Sequence, residues 1–292
     1  MGEYYWDEKI DYLMNTRNLY YNDDYFEFLV KSVWKITNPV RVIDFGCGYG
    51  YLGLKLLPLL PEGSTYTGVD LGEKLLRKAE EIYKDLPYQV EFIQCDVNEY
   101  RSDDTYDIAI CHALLLHMSD PIRTLTNMIS NISNQGRIIC FEPHWIANMA
   151  NFNLFDTPQS SIVRLGLLQK LFEMDQAKSG RDGNIGIKIP SYLSQLGLKN
   201  IECRLSDKVV FLDSNIAEEK RKKLFGSLVE DGIGSNPGDR EEFIRGLVIR
   251  GMSSKEAEEE YEAELEIYKH FSINSMFTGS FNMKITTGIV VK

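Results

Sequence analysis

Apolar and polar stretches divide the 292-residue chain into regions of different rhythm. Residues 1–37 carry Tyr12, Leu13, Leu19, Tyr20, Phe26, Leu29, Val30, Val33 and Trp34, and over 25–36 the spacing is that of an amphipathic helix. From 38 to 143, short apolar runs alternate five times with longer, charged, periodic stretches. Strands are expected at 42–45, 66–70, 90–97, 106–112 and 136–143, and helices at 51–60 and 72–83. A further helix opens at Asp120-Pro121, an N-cap with proline in the first turn, and ends near Asn134-Gln135-Gly136. Such alternation predicts an α/β architecture, a parallel sheet with helices on both faces.

The second half breaks that rhythm. Thr157-Pro158 starts a helix with Leu165, Leu168, Leu171 and Phe172 on one face, followed by a polar, glycine-containing loop at 179–184. A helix at 191–196 leads into β-rich runs at 199–204 and 208–212. Three helices are expected at 216–230, 239–250 and 254–271, the last opened by a Ser253/Glu256 capping box. Its acidic run keeps Ala257, Tyr261, Leu265 and Tyr268 at helical spacing, so it reads as amphipathic. A β-rich run at 283–291 closes the sequence.

Composition narrows the class. Hydrophobic content of 43% and charged content of 26% are ordinary for a globular chain, and a net charge of −11 argues against a nucleic-acid-binding surface as the main feature. The basic run 220–223 follows Glu218 and Glu219 and reads as a solvated helix face. The acidic, aromatic start at 1–7 does not resemble a signal peptide, and no run of 18 apolar residues predicts a membrane span. Five cysteines without C-x-x-C spacing fit a reducing cytoplasm and argue against structural zinc; no metal is expected. Four of them fall near strand ends, where buried cysteine is ordinarily a small apolar residue.

The chemistry concentrates at Asp44-Phe45-Gly46-Cys47-Gly48-Tyr49-Gly50. An apolar strand ends in an acid and three alternate glycines, which turn tightly and let a ligand approach the backbone. A dinucleotide fingerprint needs G-x-G-x-x-G; here the spacing is G-x-G-x-G, and Asp44 would repel a pyrophosphate but suit a cationic ligand. Acidic strand ends follow at Asp70 and Asp96, then a strand opening with Asp107 and the run Gly136–Pro143.

These motifs, in this order over 38–143, resemble those of the class I S-adenosylmethionine-dependent methyltransferases. The segment 112–121 is similar to the branch holding ubiquinone/menaquinone and sterol-type enzymes. The resemblance implies a Rossmann-like doubly wound sheet of about seven mostly parallel strands, the last antiparallel, and S-adenosyl-L-methionine as cofactor. Its ligands would come from Asp44, Gly46, Cys47, Gly48, Gly50, Asp70, Leu71, Asp96, Val97 and His112. Asp70 would accept the ribose hydroxyls, Asp96 would reach the adenine amino group, and Val97 would pack on the ring.

The chain thus divides into an N-terminal helical cap (1–37), a cofactor domain (38–212, with a helical insertion at 144–190), a helical lid (213–278) and a final strand (279–292). Methyl transfer needs no fixed catalytic residue, since the cofactor supplies the reactive group. His112, His117, Glu142 and His144 are the acid–base candidates, and Tyr20 and Tyr21 could face the substrate. The expected partner is a small-molecule acceptor, not nucleic acid or membrane. A protein or RNA methyltransferase and a non-catalytic cofactor-binding module remain the alternatives.

Overall fold

The computed structural model describes residues 4–292. Residues 1–3 of the expected cap lie outside the described residues.

Among the described residues, ten strands form two sheets. They are β1 (Arg41–Phe45), β2 (Thr65–Asp70), β3 (Gln89–Gln94), β4 (Tyr106–His112), β5 (Ile132–Pro143), β6 (Phe152–Leu154), β7 (Lys199–Leu205), β8 (Val210–Leu212), β9 (Phe277–Gly279) and β10 (Met283–Ile289). The main sheet has the order β3-β2-β1-β4-β5-β10-β7. Strands β1 to β5 pair in parallel, and β10 runs antiparallel to both neighbours, with Ile285 opposite Phe141 on one side and Arg204 on the other.

Alternate residues of the central strands feed two separate cores. Val42, Ile108, Ile110 and Phe141 pack against Leu29, Val30 and Trp34. Ile43, Phe45, Ala109 and Cys140 pack on the other side with Leu125, Met128 and Leu193. Covering both faces is what a parallel sheet requires, and it explains why these strands read as continuous apolar runs. The strand order reverses between β1 and β4, which opens a crevice beyond their carboxyl ends.

Several expectations shift. The β-rich run 208–212 stands apart from the run before it: its strand β8 lies outside the main sheet and joins β6 and β9 in a three-stranded antiparallel sheet. Phe152, Leu212 and Phe277 from that sheet, with Leu19, Leu228 and Phe271 from surrounding helices, form a third core. The helix after Asp120 ends at Ser130, not near Gly136. The Tyr106 N–H donates to the Asn131 carbonyl, so β5 joins β4 before the glycine is reached. The 51–60 helix is α-helical only over Tyr51–Leu56 and tightens to a 3-10 turn at Leu57–Leu59, where Pro58 has no N–H to continue the ladder. The N-terminal segment is a series of short helices, Ile10–Thr16 and Asp23–Phe28 among them, broken where Asn22 is extended.

The distal helices form at Glu218–Glu230, Arg240–Arg250 and Ser254–His270. The side chain of Asp239 caps the second, and the Ser253/Glu256 box caps the third. The buried stripe of the third helix is Ala257, Glu260, Tyr261, Ala263 and Ile267; Leu265 is only half-buried and Tyr268 is exposed. Among the described residues no helix is long and apolar enough to cross a membrane.

Candidate functional site

At the end of β1 the chain turns through Gly46 (φ 71°) and Gly48 (φ 55°). The loop is tied to β2: the N–H groups of Gly46 and Cys47 donate to the Val69 carbonyl at 2.8 and 3.2 Å. Side chains other than glycine rarely adopt such backbone. A Cβ on Gly46 would also come within 2.7 Å of Leu114 Cδ1.

Asp70, at the end of β2, clamps two turns. Its Oδ2 accepts from Gly48 N at 2.9 Å and its Oδ1 from Gly72 N at 2.8 Å. Burial pushes the carboxyl up, and those backbone donors pull against it. Each oxygen keeps a lone pair for another donor.

Asp44 is 1% exposed. Its Oδ2 accepts from the Tyr66 hydroxyl at 2.6 Å, while Oδ1 is buried with no partner. Burial, against the Tyr66 hydrogen bond, pushes its carboxyl up to about 8. A buried carboxylate oxygen without a donor is costly and calls for a partner the fold does not supply.

These acids border a cavity of about 650 Å³. Gly46, Cys47, Gly48, Leu71, Asp96 and Val97 line the same wall. His112 and His117 line it at the ends of β4 and of the following turn. The His112 ring sits between Tyr21, Tyr51 and Phe141, at 5.7 to 6.1 Å between ring centres, and its Nε2 has no partner. Burial and the nearby Arg17 cation push it well below the usual histidine range. His117 lies against Trp6, 4.9 Å between ring centres, and burial with Arg181 and Arg17 pushes it down to about 4. Both are therefore neutral near pH 7 and able to hydrogen bond, but weak as bases. The Tyr20 hydroxyl faces the cavity and donates to Asp231 Oδ1 at 2.7 Å. Burial pushes Asp231 up to about 6.

Four residues singled out in the sequence lie elsewhere. Glu142 does not reach the cavity; it is fully buried, and its carboxylate accepts the N–H groups of Leu114, Leu115 and Leu116 at 3.0, 2.8 and 3.3 Å. It holds the turn that carries His117. His144 is half-exposed and precedes the helix Trp145–Ala150, outside the cavity lining. Tyr21 packs behind His112 instead of facing the cavity. Gly50 serves packing: its carbonyl accepts from the Tyr83 hydroxyl at 2.6 Å, and a Cβ there would meet the Tyr83 ring at 2.7 Å.

The remaining walls come from segments the motifs did not flag. Arg17, Trp145, Phe172, Asp231, Phe243 and Glu260 converge from six places in the chain. Arg17 forms no ion pair within 4.0 Å among the described residues.

Comparison with known proteins places this geometry. The model of a methyltransferase domain family matches residues 36–184, half of the chain and every strand from β1 to β5. The chain belongs to this methyltransferase family. A ubiquinone biosynthesis O-methyltransferase from Rickettsia felis is 24% identical over 116 residues, 39% of this chain and 46% of the relative. A malonyl-[acyl-carrier protein] O-methyltransferase from Halalkalibacterium halodurans is 29% identical over 143 residues, 47% of this chain and 50% of the relative. The chain thus spans about half the length of these relatives. A methyltransferase structure from Geobacter sulfurreducens, solved in complex with S-adenosyl-L-homocysteine, is 14% identical and covers 99% of each chain with a TM-score of 0.53; that likeness is one of fold. The methyltransferase match ends at residue 184, so the lining residues Asp231, Phe243 and Glu260 lie beyond it.

Proposed function

We propose that this methyltransferase transfers a methyl group from S-adenosyl-L-methionine to a small-molecule acceptor. The observation that carries the reading is the buried, unpartnered Oδ1 of Asp44, a residue that lines the cavity together with Asp70 at a glycine turn. When bound, the cofactor supplies an electrophilic methyl group on a sulfonium.

The residues present fit that ligand. Asp44 meets its ammonium group, which gives the orphaned oxygen a charged donor. Gly46 and Gly48 leave room for its backbone-like part, and Asp70 keeps acceptor capacity for the ribose hydroxyls. Asp96, whose Oδ1 accepts from Asn98 N at 2.8 Å, keeps an oxygen for the adenine amino group, and Leu71 and Val97 flank the ring. Arg17 balances a carboxylate.

His112 and His117 orient the acceptor as neutral hydrogen-bonding rings. Residues 4–37 act as a cap and 213–278 as a lid over the acceptor, excluding water from a displacement that depends on positioning. A deep, largely apolar cavity lined in part by Trp145, Phe172 and Phe243 suits a small acceptor better than a polymer. A reducing, cytoplasmic setting suits the five free cysteines.

Calorimetric titration with S-adenosylhomocysteine, with NAD as control, tests the reading. Binding of the first and none of the second is expected. Asp70→Ala should weaken S-adenosylhomocysteine binding by about 1.5–3 kcal/mol, the loss of hydrogen bonds to a charged group. No binding by the unmodified protein, or unchanged affinity in Asp70→Ala, would refute the assignment.

A further inference from the structure

The helix Ser254–His270 buries Ala257, Glu260, Tyr261, Ala263 and Ile267. A stripe that faces the interior should be apolar, yet Glu260 sits within it at 3% exposure. Its Oε2 has no hydrogen-bond partner. Arg250, which also faces the cavity, is committed to Asp175 through contacts of 2.6 and 3.3 Å. Arg164 exerts an attraction on Glu260 but stands outside the cavity lining, with its own Nε unpartnered. Glu260 opens instead on the cavity, which Phe243 and Leu247 also line. A buried carboxylate oxygen with no hydrogen-bond donor, attracted only at a distance by Arg164 and Arg250 and repelled by Glu264, is destabilising, and a donor brought by a ligand would relieve it.

The charge of the cavity indicates that partner. Its lining holds the carboxylates of Asp44, Asp70, Asp96, Asp231 and Glu260 against the guanidinium groups of Arg17 and Arg250, the latter already paired. The first three acids stand at or just beyond the carboxyl ends of β1, β2 and β3. Asp231 and Glu260 belong to the helical segment between β8 and β9, on the acceptor wall. Trp145, Phe172 and Phe243 supply aromatic faces to the same space, and such faces favour cations as well as apolar surface.

We propose that Glu260 determines acceptor specificity by pairing with a protonated nitrogen on an otherwise apolar small molecule. The proposal rests on the methyl-transfer reading of this cavity and names its substrate class: an amine-bearing, largely aromatic or aliphatic acceptor. Glu260 acts in recognition, on a wall separate from the glycine turn, and no proton need move through it.

The test uses the full chain saturated with S-adenosylhomocysteine. It is titrated with 2-phenylethylamine, its neutral counterpart 2-phenylethanol and the anion 3-phenylpropionate. The amine should bind at least about tenfold tighter than either of the others, a charge-assisted preference. Glu260→Gln and Glu260→Leu should each abolish that preference with S-adenosylhomocysteine affinity unchanged. Glu260→Leu should also melt higher without ligand, since it removes a buried charge, so the test survives if Glu260→Gln folds poorly. Equal binding of the three probes would overturn the proposal. So would an amine preference that persists in the variants, with Arg164→Met lowering the melting temperature as much as Glu260→Gln; Glu260 would then serve an ion pair within the lid. If S-adenosylhomocysteine itself fails to bind, the methyl-transfer reading falls, and the same three titrations without it still decide for or against Glu260.

Discussion

Glu142→Gln isolates a contest between two forces on one carboxylate. Burial opposes its ionisation, and three backbone N–H donors from Leu114, Leu115 and Leu116 favour it. Burial wins, and the carboxyl is pushed up from 4.5 to about 7. A tenfold change in proton affinity is worth about 1.4 kcal/mol, so ionised Glu142 costs the folded protein roughly 3 kcal/mol relative to the unfolded chain. The folded state therefore binds more protons than the unfolded state between pH 4.5 and about 7, and this group's contribution to stability falls as pH rises through that window. Glutamine cannot ionise, but its amide nitrogen would face a backbone donor, at a constant cost of about 1–3 kcal/mol. Urea unfolding of both proteins at pH 5, 6, 7 and 8 gives the difference directly, and groups common to both, Asp44 included, cancel. The wild type should be the more stable by about 1–3 kcal/mol at pH 5. That advantage should shrink by roughly 3 kcal/mol by pH 8. A difference that does not change with pH would mean that the three donors prevail and Glu142 is ionised throughout.

Asp44 carries a second pH signature. Its carboxyl stands at about 8 in the free protein, so binding a cationic group at pH 7 should release a proton. S-adenosylhomocysteine affinity should rise from pH 6 to 8, by up to about tenfold per pH unit, and calorimetry in buffers of different ionisation enthalpy should count the proton; a flat profile in the wild type, or a slope retained in Asp44→Asn, contradicts the role given to this oxygen. Gly46→Ala forces a side chain into left-handed backbone, at about 1–2 kcal/mol, and against Leu114 Cδ1 at 2.7 Å. Thermal melting with and without S-adenosylhomocysteine should show a lower melting point and little ligand stabilisation; a wild-type response would mean that the turn is not the cradle.

The main sheet was legible because its central strands β1, β4 and the later part of β5 are continuous apolar runs, the signature of strands buried on both faces. Helix starts at Asp120 and Ser253 were legible from capping chemistry that acts within one turn. Strands β6 and β9 were not, since three residues cannot show a period; the β-rich run 208–212 does contain β8, but its pairing depends on partners more than 60 residues away, such as Gly279 opposite Val210. The acids of the glycine-turn wall could be read because successive parallel strands place their ends together. Arg17, Asp231 and Glu260 could not, because tertiary convergence alone brings them to one cavity. Glu260 left a trace: Ala257 and Ala263 lie three residues either side of it, on the stripe that is buried, while the acidic run around it looks solvated. Glu142 misled for the opposite reason. Its place after the apolar part of β5 is that of a reactive carboxylate, and only the fold shows three amides already occupying it.

The position of β10 bears on how the chain assembles. β7 has no neighbour in the main sheet except β10, and β10 begins at Met283, long after Leu205. During synthesis β1 to β5 can pair as they emerge, whereas β7 must wait, its edge open, while the whole segment carrying Asp231 and Glu260 is made. Insertion of β10 between β5 and β7 then pairs it on both of its sides, and the ladder carries its register from Met283 opposite Pro143 to Ile289 opposite Arg137. The seating of a single late strand thus joins the first half of the molecule to the segment whose residues Asp231 and Glu260 line its cavity.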